Sequence, residues 1–395
     1  MPGSVIVAGS RTPIGKISGS LAGFSAMDLG GFAIASALDR AGLPAGDVDY
    51  VVMGHVIRAG QGQITARQAA VKAGIPMSVP ALSIDKVCLS GLEALTLADL
   101  YVSAGIHRFV VGGMESMTNG PHLLPGARKG YSYGDRTVHD ATERDALYDP
   151  FEQVTMGAGT ERYGQRLNIS REEQDEYSAR SHERAAEAMK DGRFTDEITP
   201  VQVPQRRGDP LTITEDEGVR PGTTAEGLSK LKPAFDKENG TITAGSSSPL
   251  SDGACALIVT SREAAQERGL PILAEIGAAG FVAGPDTSLQ SQPSHAIQQA
   301  LKKEQLTPSD ADLFEINEAF AQVAIQSMRE LETGPEKVNV NGGAISLGHP
   351  VGMSGARIAL TLALELQRRG GGLGVAGLCG GGGQGNALVL RVPSN

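Results

Sequence analysis

Strand-like and helix-like stretches alternate along most of this 395-residue sequence, and no other feature limits the fold as strongly. Residues 5–8 read as a strand. Residues 25–39 read as a helix, with Ser25 and Asp28 at capping-box spacing. Strands at 48–53 and 82–84 follow, then a helix over about 90–103 and a strand at 108–111. Between about residues 119 and 244 the rhythm breaks into sequence scattered with Pro, Gly, Arg and Asp. One clear helix sits inside, at 171–190, with Ser170 as N-cap and Glu173 as reciprocal partner. The rhythm then resumes: strand 254–259, helix near 294–304, strand 313–316, helix 318–330, helix 355–368, and strands 373–376 and 387–392. Such alternation argues a mostly parallel sheet covered by helices. The break predicts a long insertion over one edge of that sheet, of the kind that forms lids or binding walls.

The two halves look alike. Ser90-Gly91 opens a helix containing Ala94-Leu95-Thr96-Leu97-Ala98, and Ser354-Gly355 opens one containing Ala359-Leu360-Thr361-Leu362-Ala363. Each helix precedes a strand and then an expected glycine-rich turn, Gly112-Gly113-Met114-Glu115 in one half and Cys379-Gly380-Gly381-Gly382-Gly383 in the other. The repeated order points to duplication. A chain this long exceeds the size at which one core stops growing, so more than one packed unit is expected. A net charge of -10 argues against nucleic-acid binding, and no apolar run has the length of a membrane span. Three cysteines, Cys88, Cys255 and Cys379, are too few and too odd in number for a disulfide framework, and imply a reducing, cytoplasmic setting. The N-terminal residues, Met1-Pro2-Gly3-Ser4-Val5-Ile6-Val7, lack the charged and apolar regions of a signal peptide.

Cys88 lies between a strand and a helix, in Asp85-Lys86-Val87-Cys88-Leu89-Ser90-Gly91. Free N–H groups and the helix dipole there favour thiolate, the reactive form; the other reading is an inert buried cysteine. His349 sits on a glycine-flanked turn, Gly348-His349-Pro350-Val351-Gly352, either as a rigidly held base or as a turn histidine satisfied by the backbone. The glycines after Cys379 can aim backbone N–H groups at a ligand oxygen. A dinucleotide loop is disfavoured there, because a strand-like stretch follows instead of a helix and a later acid. Asn317 and Glu318 read as an N-cap and a first-turn acid at a strand-to-helix junction. No paired Cys or His spacing supports zinc, and no G-x-S-x-G elbow supports a serine hydrolase.

Together the motifs Val87-Cys88-Leu89-Ser90-Gly91, Asn317-Glu318-Ala319-Phe320, Gly348-His349-Pro350-Val351-Gly352 and Cys379-Gly380-Gly381-Gly382 resemble those of the thiolases, over essentially the whole chain. The segments Gly113-Met114-Glu115-Ser116-Met117-Thr118 and Thr243-Ala244-Gly245-Ser246-Ser247-Ser248 fit the same family, in its bacterial acetyl-CoA acetyltransferase subgroup. The resemblance implies an α/β fold of two duplicated halves, each with a mixed five-stranded sheet, packed in layers. The N-terminal half would take residues 1–118 and 245–268, an inserted loop domain 119–244, and the C-terminal half 269–395. The active site would lie where the halves meet, in a homodimer or homotetramer.

The resemblance further implies reversible condensation of two acetyl-CoA to acetoacetyl-CoA and CoA, or thiolysis of a 3-oxoacyl-CoA. Cys88 would be the acyl-accepting nucleophile, His349 its activator and Cys379 the acid or base at the α-carbon. His349 with a water held by Asn317 would form one oxyanion hole, and the N–H groups of Cys88 and Gly381 the other. Met156, Ala244, Gly245, Ser248, Ala319 and Phe320 match positions lining the pantetheine channel, and Arg220 the nucleotide end. Coenzyme A would be substrate and product, with no tightly bound cofactor, metal or membrane partner. Two positions depart from the family pattern. Asp85 stands where the family usually has Asn, and its charge opposes thiolate formation unless paired, with Lys86 as the expected partner. Thr155 stands where many acetoacetyl-CoA-specific members carry His, which leaves a longer-chain degradative thiolase as the alternative. A carrier-protein synthase would not need Cys379, and a non-catalytic CoA- or lipid-binding relative would not need all four catalytic positions.

Overall fold

Unbroken apolar runs such as Val5-Ile6-Val7 and Leu257-Ile258-Val259 need cover on both faces, and helices supply it. The computed structural model describes residues 3–394; Met1 and Pro2, which open the strand-like N-terminal stretch, lie outside the described residues. The first half runs β1 (Ser4–Arg11), α1 (Ala26–Ala41), β2 (Tyr50–Gly54), α2 (Thr65–Lys72), β3 (Ala81–Ile84), α3 (Ser90–Ser103) and β4 (Arg108–Ser116). A long excursion follows, holding α4 (Met156–Gly164) and α5 (Arg171–Lys190), before β5 (Ser251–Ser261) rejoins the sheet. The second half repeats the succession with β6 (Ala274–Ala283), α6 (Gln292–Lys303), β7 (Leu313–Ile316), α7 (Ala321–Glu330), α8 (Ser354–Arg368), β8 (Gly372–Gly380) and β9 (Gln384–Val392). Both expected capping boxes form, at Ser25 with Asp28 and at Ser170 with Glu173.

The strands join in the order β7-β8-β9-β6-β1-β5-β4-β2-β3, and the two-residue strand Gly15–Lys16 pairs with the start of β5. The first half contributes five strands, β3-β2-β4-β5-β1. The second contributes β6-β9-β8-β7, with Val338 in a parallel bridge to Phe314 where the first half has β3. Within the sheet, among the described residues, only the strand pairs Val5 with Glu275 and Ile6 with Ala274 join the halves. The sheet is mixed rather than mostly parallel. Among the strands of the described residues, the parallel pairs are β2/β3, β2/β4 and β7/β8. The rhythm of the sequence misled because an antiparallel return needs no crossover helix, and β8 returns as β9 through a short glycine turn. At the equivalent place in the first half, between β4 and β5, the chain makes its long excursion.

Helices α3 and α8 lie between the two sets of strands. They share one core with Phe109, Val111 and Leu257 from one half and Leu378, Leu388 and Leu390 from the other. Helices α1 and α2 cover the outer face of the first set, and α6 that of the second. The two central helices start in contact: a Cβ on Gly91 would lie 2.6 Å from the Ala356 nitrogen, and one on Gly355 2.3 Å from the Leu92 nitrogen. Any side chain at either position would force the layers apart. Gly112 and Gly113, expected in a turn, lie inside β4. Their role is close approach, since a Cβ would come within 2.0 Å of the Cys255 carbonyl and 1.8 Å of the Gly352 carbonyl.

Arg11 at the end of β1 anchors the excursion. Its guanidinium donates to Glu197 Oε1 at 2.7 Å and to both Asp216 oxygens at 2.7 and 2.9 Å, all in the interior. Asp216 Oδ1 also accepts the Ile14 N–H at 2.7 Å. Replacing Asp216 with Ala strands a buried cation, so urea unfolding should show a loss of about 3 kcal/mol. A loss under about 1 kcal/mol would mean that Glu197 alone holds Arg11.

Candidate active site

The chain leaves β3 and reaches α3 through Asp85, Lys86, Val87 and Cys88. Val87 has φ 51°, a left-handed conformation that costs a β-branched residue about 1–2 kcal/mol. Three hydrogen bonds hold it there. The Val87 N–H donates to Asp85 Oδ1 at 3.0 Å, the Lys86 N–H to Ser90 Oγ at 2.8 Å, and the Ser90 hydroxyl to the Val87 carbonyl at 2.7 Å. Cys88 is thus fixed just before the helix, with Leu89 at the N-cap and the thiol buried.

Burial pushes the Cys88 thiol up to about 12, and the charges of Glu115 and Asp85 push the same way; only a backbone hydrogen bond at Cys88 opposes them. The expectation that the helix start favours thiolate is therefore reversed, because desolvation outweighs a single helix end. The pairing of Asp85 also differs from expectation. Lys86 Nζ contacts Glu93 Oε2 at 2.9 Å and Asn386 Oδ1 at 3.1 Å. Asp85 instead faces Arg58, at 3.7 Å.

His349 is buried, and its backbone N–H donates to Ser251 Oγ at 3.1 Å. Its Nδ1 lies 2.6 Å from Ser354 Oγ, whose own proton goes to the Pro350 carbonyl at 3.0 Å. That network assigns the imidazole proton to Nδ1 and leaves Nε2 as an acceptor. Asn317 Nδ2 stands 3.4 Å from that Nε2. Burial, aided by the charge of Arg357, holds His349 down to about 3, so the ring is neutral.

Asn317 and Glu318 do not cap a helix. Helix α7 starts at Ala321 with Phe320 as N-cap, and residues 317–319 lie on the chain between β7 and that cap. The Asn317 N–H donates to the Gly377 carbonyl at 3.0 Å, and its buried Oδ1 has no partner among the described residues. Glu318 points inward and accepts from Tyr177 Oη at 2.8 Å, Ser181 Oγ at 2.7 Å, Asn339 Nδ2 at 3.0 Å and the Ile345 N–H at 3.1 Å. It ties this segment to α5. No local pattern reveals that role, since its partners lie far off in sequence.

Cys379, near the end of β8, is fully buried, and burial pushes its thiol upward with Cys88 as the next cause. The two sulfurs therefore lie within each other's field. Around Cys379 pack Met156, Leu289, Ala319, Phe320 and Val323. The glycines that follow fit against the Cys88 loop: a Cβ on Gly380 would come 2.6 Å from Leu89, while Gly381 has ordinary clearance from Val87.

The expected binding residues fall on two clefts. Arg220, Ala244 and Gly245 line one of about 310 Å³, beside His182 and Lys16. Met156 and Gly381 line another of about 750 Å³, beside Val87 and Phe151. Ser248 and Ala319 sit together, because the Ser248 N–H and hydroxyl both donate to the Ala319 carbonyl, at 3.0 and 3.1 Å. Phe320 bridges to Ser247 alongside. The structure thus brings Cys88 near Cys379 and Asn317 near His349, and it joins Met156, Ala319 and Phe320 around Cys379.

Residues 4–263 match the family model described as thiolase, N-terminal domain, and residues 270–392 the one described as thiolase, C-terminal domain. The chain belongs to the thiolase family. It is 59% identical to a probable acetyl-CoA acetyltransferase of Mycolicibacterium smegmatis, over 98% of this chain and 100% of that protein. It is 47% identical to the acetyl-CoA acetyltransferase of Pseudomonas aeruginosa, over 98% of each. The crystal structure of the Bacillus anthracis acetyl-CoA acetyltransferase superposes with a TM-score of 0.96 at 39% identity, covering 99% of both chains. The α/β fold of two duplicated, layered halves implied by the sequence motifs is therefore the fold of this thiolase.

Proposed function

We propose that this thiolase is an acetyl-CoA acetyltransferase, condensing two acetyl-CoA to acetoacetyl-CoA and CoA and running the reverse thiolysis, through an acetyl group on Cys88. The observation that carries the reading is a neutral His349, its unprotonated Nε2 facing Asn317 Nδ2, in a core that also buries two neighbouring thiols. Burial disfavours both Cys88 thiolate and His349 imidazolium, so the proton moves as the sulfur attacks rather than before. Cys88 Sγ bonds to the acetyl carbon, its proton passes to His349 Nε2, and the leaving CoA sulfur takes a proton from Cys379. The Cys379 thiolate then removes an α-proton from a second acetyl-CoA. The carbanion attacks the acetyl-Cys88 carbonyl, the C–S bond breaks, and His349 returns its proton to Cys88. Protonated Nε2, with a water on Asn317 Oδ1, meets one thioester oxygen; the N–H groups of Cys88 and Gly381 meet the other.

Arg220, Ala244, Gly245, Ser248, Ala319, Phe320 and Met156 are assigned to coenzyme A and its acyl group as substrate, with no tightly bound cofactor. Thr155, which N-caps α4 through the Ala158 N–H, leaves thiolysis of longer 3-oxoacyl-CoA as the second reading. The division into 1–118 with 245–268, 119–244 and 269–395 agrees with the excursion between β4 and β5. A homodimer or homotetramer agrees with the open edge at β3 and with exposed Ile64 and Met77, and light scattering measures it. No helix among the described residues is long and apolar enough to cross a membrane; a cytoplasmic location is assigned from the likeness to bacterial acetyl-CoA acetyltransferases.

Incubation with acetyl-CoA followed by mass mapping should place one acetyl group on Cys88; a folded protein without it would sink the reading. Cys88 sits near 12 and His349 near 3, so neither titrates at ordinary pH. The acetylation rate should therefore change less than about threefold between pH 5.5 and 7. An inflection near pH 6.5 would show instead that His349 gains a proton in the free enzyme.

A further inference from the structure

Glu115, next to last in β4, has its side chain wholly buried, yet the reaction above does not use it. Its carboxylate is shared between two loops. Oε2 accepts the Val56 N–H at 3.0 Å and the Gly352 N–H at 3.1 Å. Oε1 accepts the Ile57 N–H at 3.1 Å and faces His55 Nε2 at 3.3 Å. Residues 55–57 follow β2, and Gly352 lies three residues after His349. One carboxylate therefore clamps the His349 turn of the second half onto the floor of the first. Gly352 fits only as glycine: a Cβ would lie 2.8 Å from Glu115 Oε2 and from the Met114 carbonyl, and 3.1 Å from the Gly54 carbonyl.

We propose that Glu115 is a positioning residue, which fixes the His349 turn against the loop that follows β2 and, when ionised, sets a negative charge that acts on Cys88. The proposal rests on the acetyltransferase reading of Cys88 and His349. Four donors surround the carboxylate, counting His55, whose Nδ1 is engaged by Thr65 Oγ1 at 2.9 Å. A set of this kind suits an anion, although burial pushes the Glu115 carboxyl up to about 8. The other charged or titratable groups bearing on it are His55 and Asp85, the latter held by Arg58. Those bearing on Cys88 are Glu115 and Asp85. When ionised, Glu115 raises the Cys88 thiol, as Asp85 does.

Two substitutions separate reach from charge. Glu115→Asp keeps the charge but withdraws the carboxylate by about 1.5 Å, one carbon–carbon bond, so it cannot serve both loops. Glu115→Gln keeps the reach, removes the charge and turns an NH₂ group toward backbone donors. Both should lower kcat for acetoacetyl-CoA thiolysis at least about tenfold with KM within about threefold, the signature of misplaced catalytic groups. The rate of Cys88 alkylation by iodoacetamide, followed from pH 7 to 10.5, should rise at lower pH in Glu115→Gln but not in Glu115→Asp. Wild-type acetylation on Cys88 is measured alongside; its failure would count against the acetyltransferase reading, not against the clamp. Wild-type kcat in either folded variant, a loss confined to KM, or an equal alkylation shift in both would overturn the proposal. Should Glu115→Gln fail to fold, the kcat and KM of Glu115→Asp decide it.

Discussion

Cys88→Ala should lose thiolysis of acetoacetyl-CoA by at least about 10⁴-fold while melting within a few degrees of the wild type. The large kinetic effect follows from the loss of the sulfur proposed to hold the acetyl group between half-reactions. The small stability effect follows from size, because removing one buried sulfur leaves a cavity worth about 1 kcal/mol. Cys88 makes no side-chain hydrogen bond to another residue that would be orphaned. The strained Val87 turn is held by Asp85 and Ser90, which the substitution leaves in place. Coupled spectrophotometric turnover and a thermal melt test both parts. Residual activity above about 1% of wild type would mean that the acyl group passes through another residue.

Cys379→Ala should divide the reaction. Acetylation of Cys88 should survive within about tenfold, since a thiolate leaves a thioester without an obligatory proton. Condensation, and exchange of α-hydrogens of acetyl-CoA with deuterated water, should fall at least about 10³-fold. The physical reason is the setting of the sulfur. Cys379 packs against Phe320, Leu289 and Val323, and that burial pushes its thiol upward, so its thiolate is a stronger base than a thiol in water would give. Retained α-exchange in a protein that still acetylates would assign the carbon acid step to another group, with His349 the next candidate.

Much of this was legible from residue order. Ser25 with Asp28 and Ser170 with Glu173 announce helix starts through contacts three residues apart, which a sequence displays directly. The repeat of Ser-Gly helix starts at Ser90 and Ser354 announced two halves, and the structure shows why glycine follows each: the helices touch there. The glycines of β4 looked identical on paper but serve close approach, because their neighbours, Cys255 and Gly352, arrive from far along the chain. Asn317 looked like a helix cap, yet the helix begins later and the side chain turns to His349.

The sequence by itself determined which chemical groups are present and where each sits on its own element: Cys88 before a helix, His349 on a stiff turn, Cys379 ahead of a glycine turn. Those are local properties, set by capping, turn geometry and apolar patterning within a few residues. Only the tertiary structure decided how the groups behave. It set the thiols high and the imidazole low, paired Asp85 with Arg58 instead of Lys86, and tied Glu115 to the turn after His349. Ionisation depends on burial and on charges brought close by folding, and neither can be read before the chain has closed around the site.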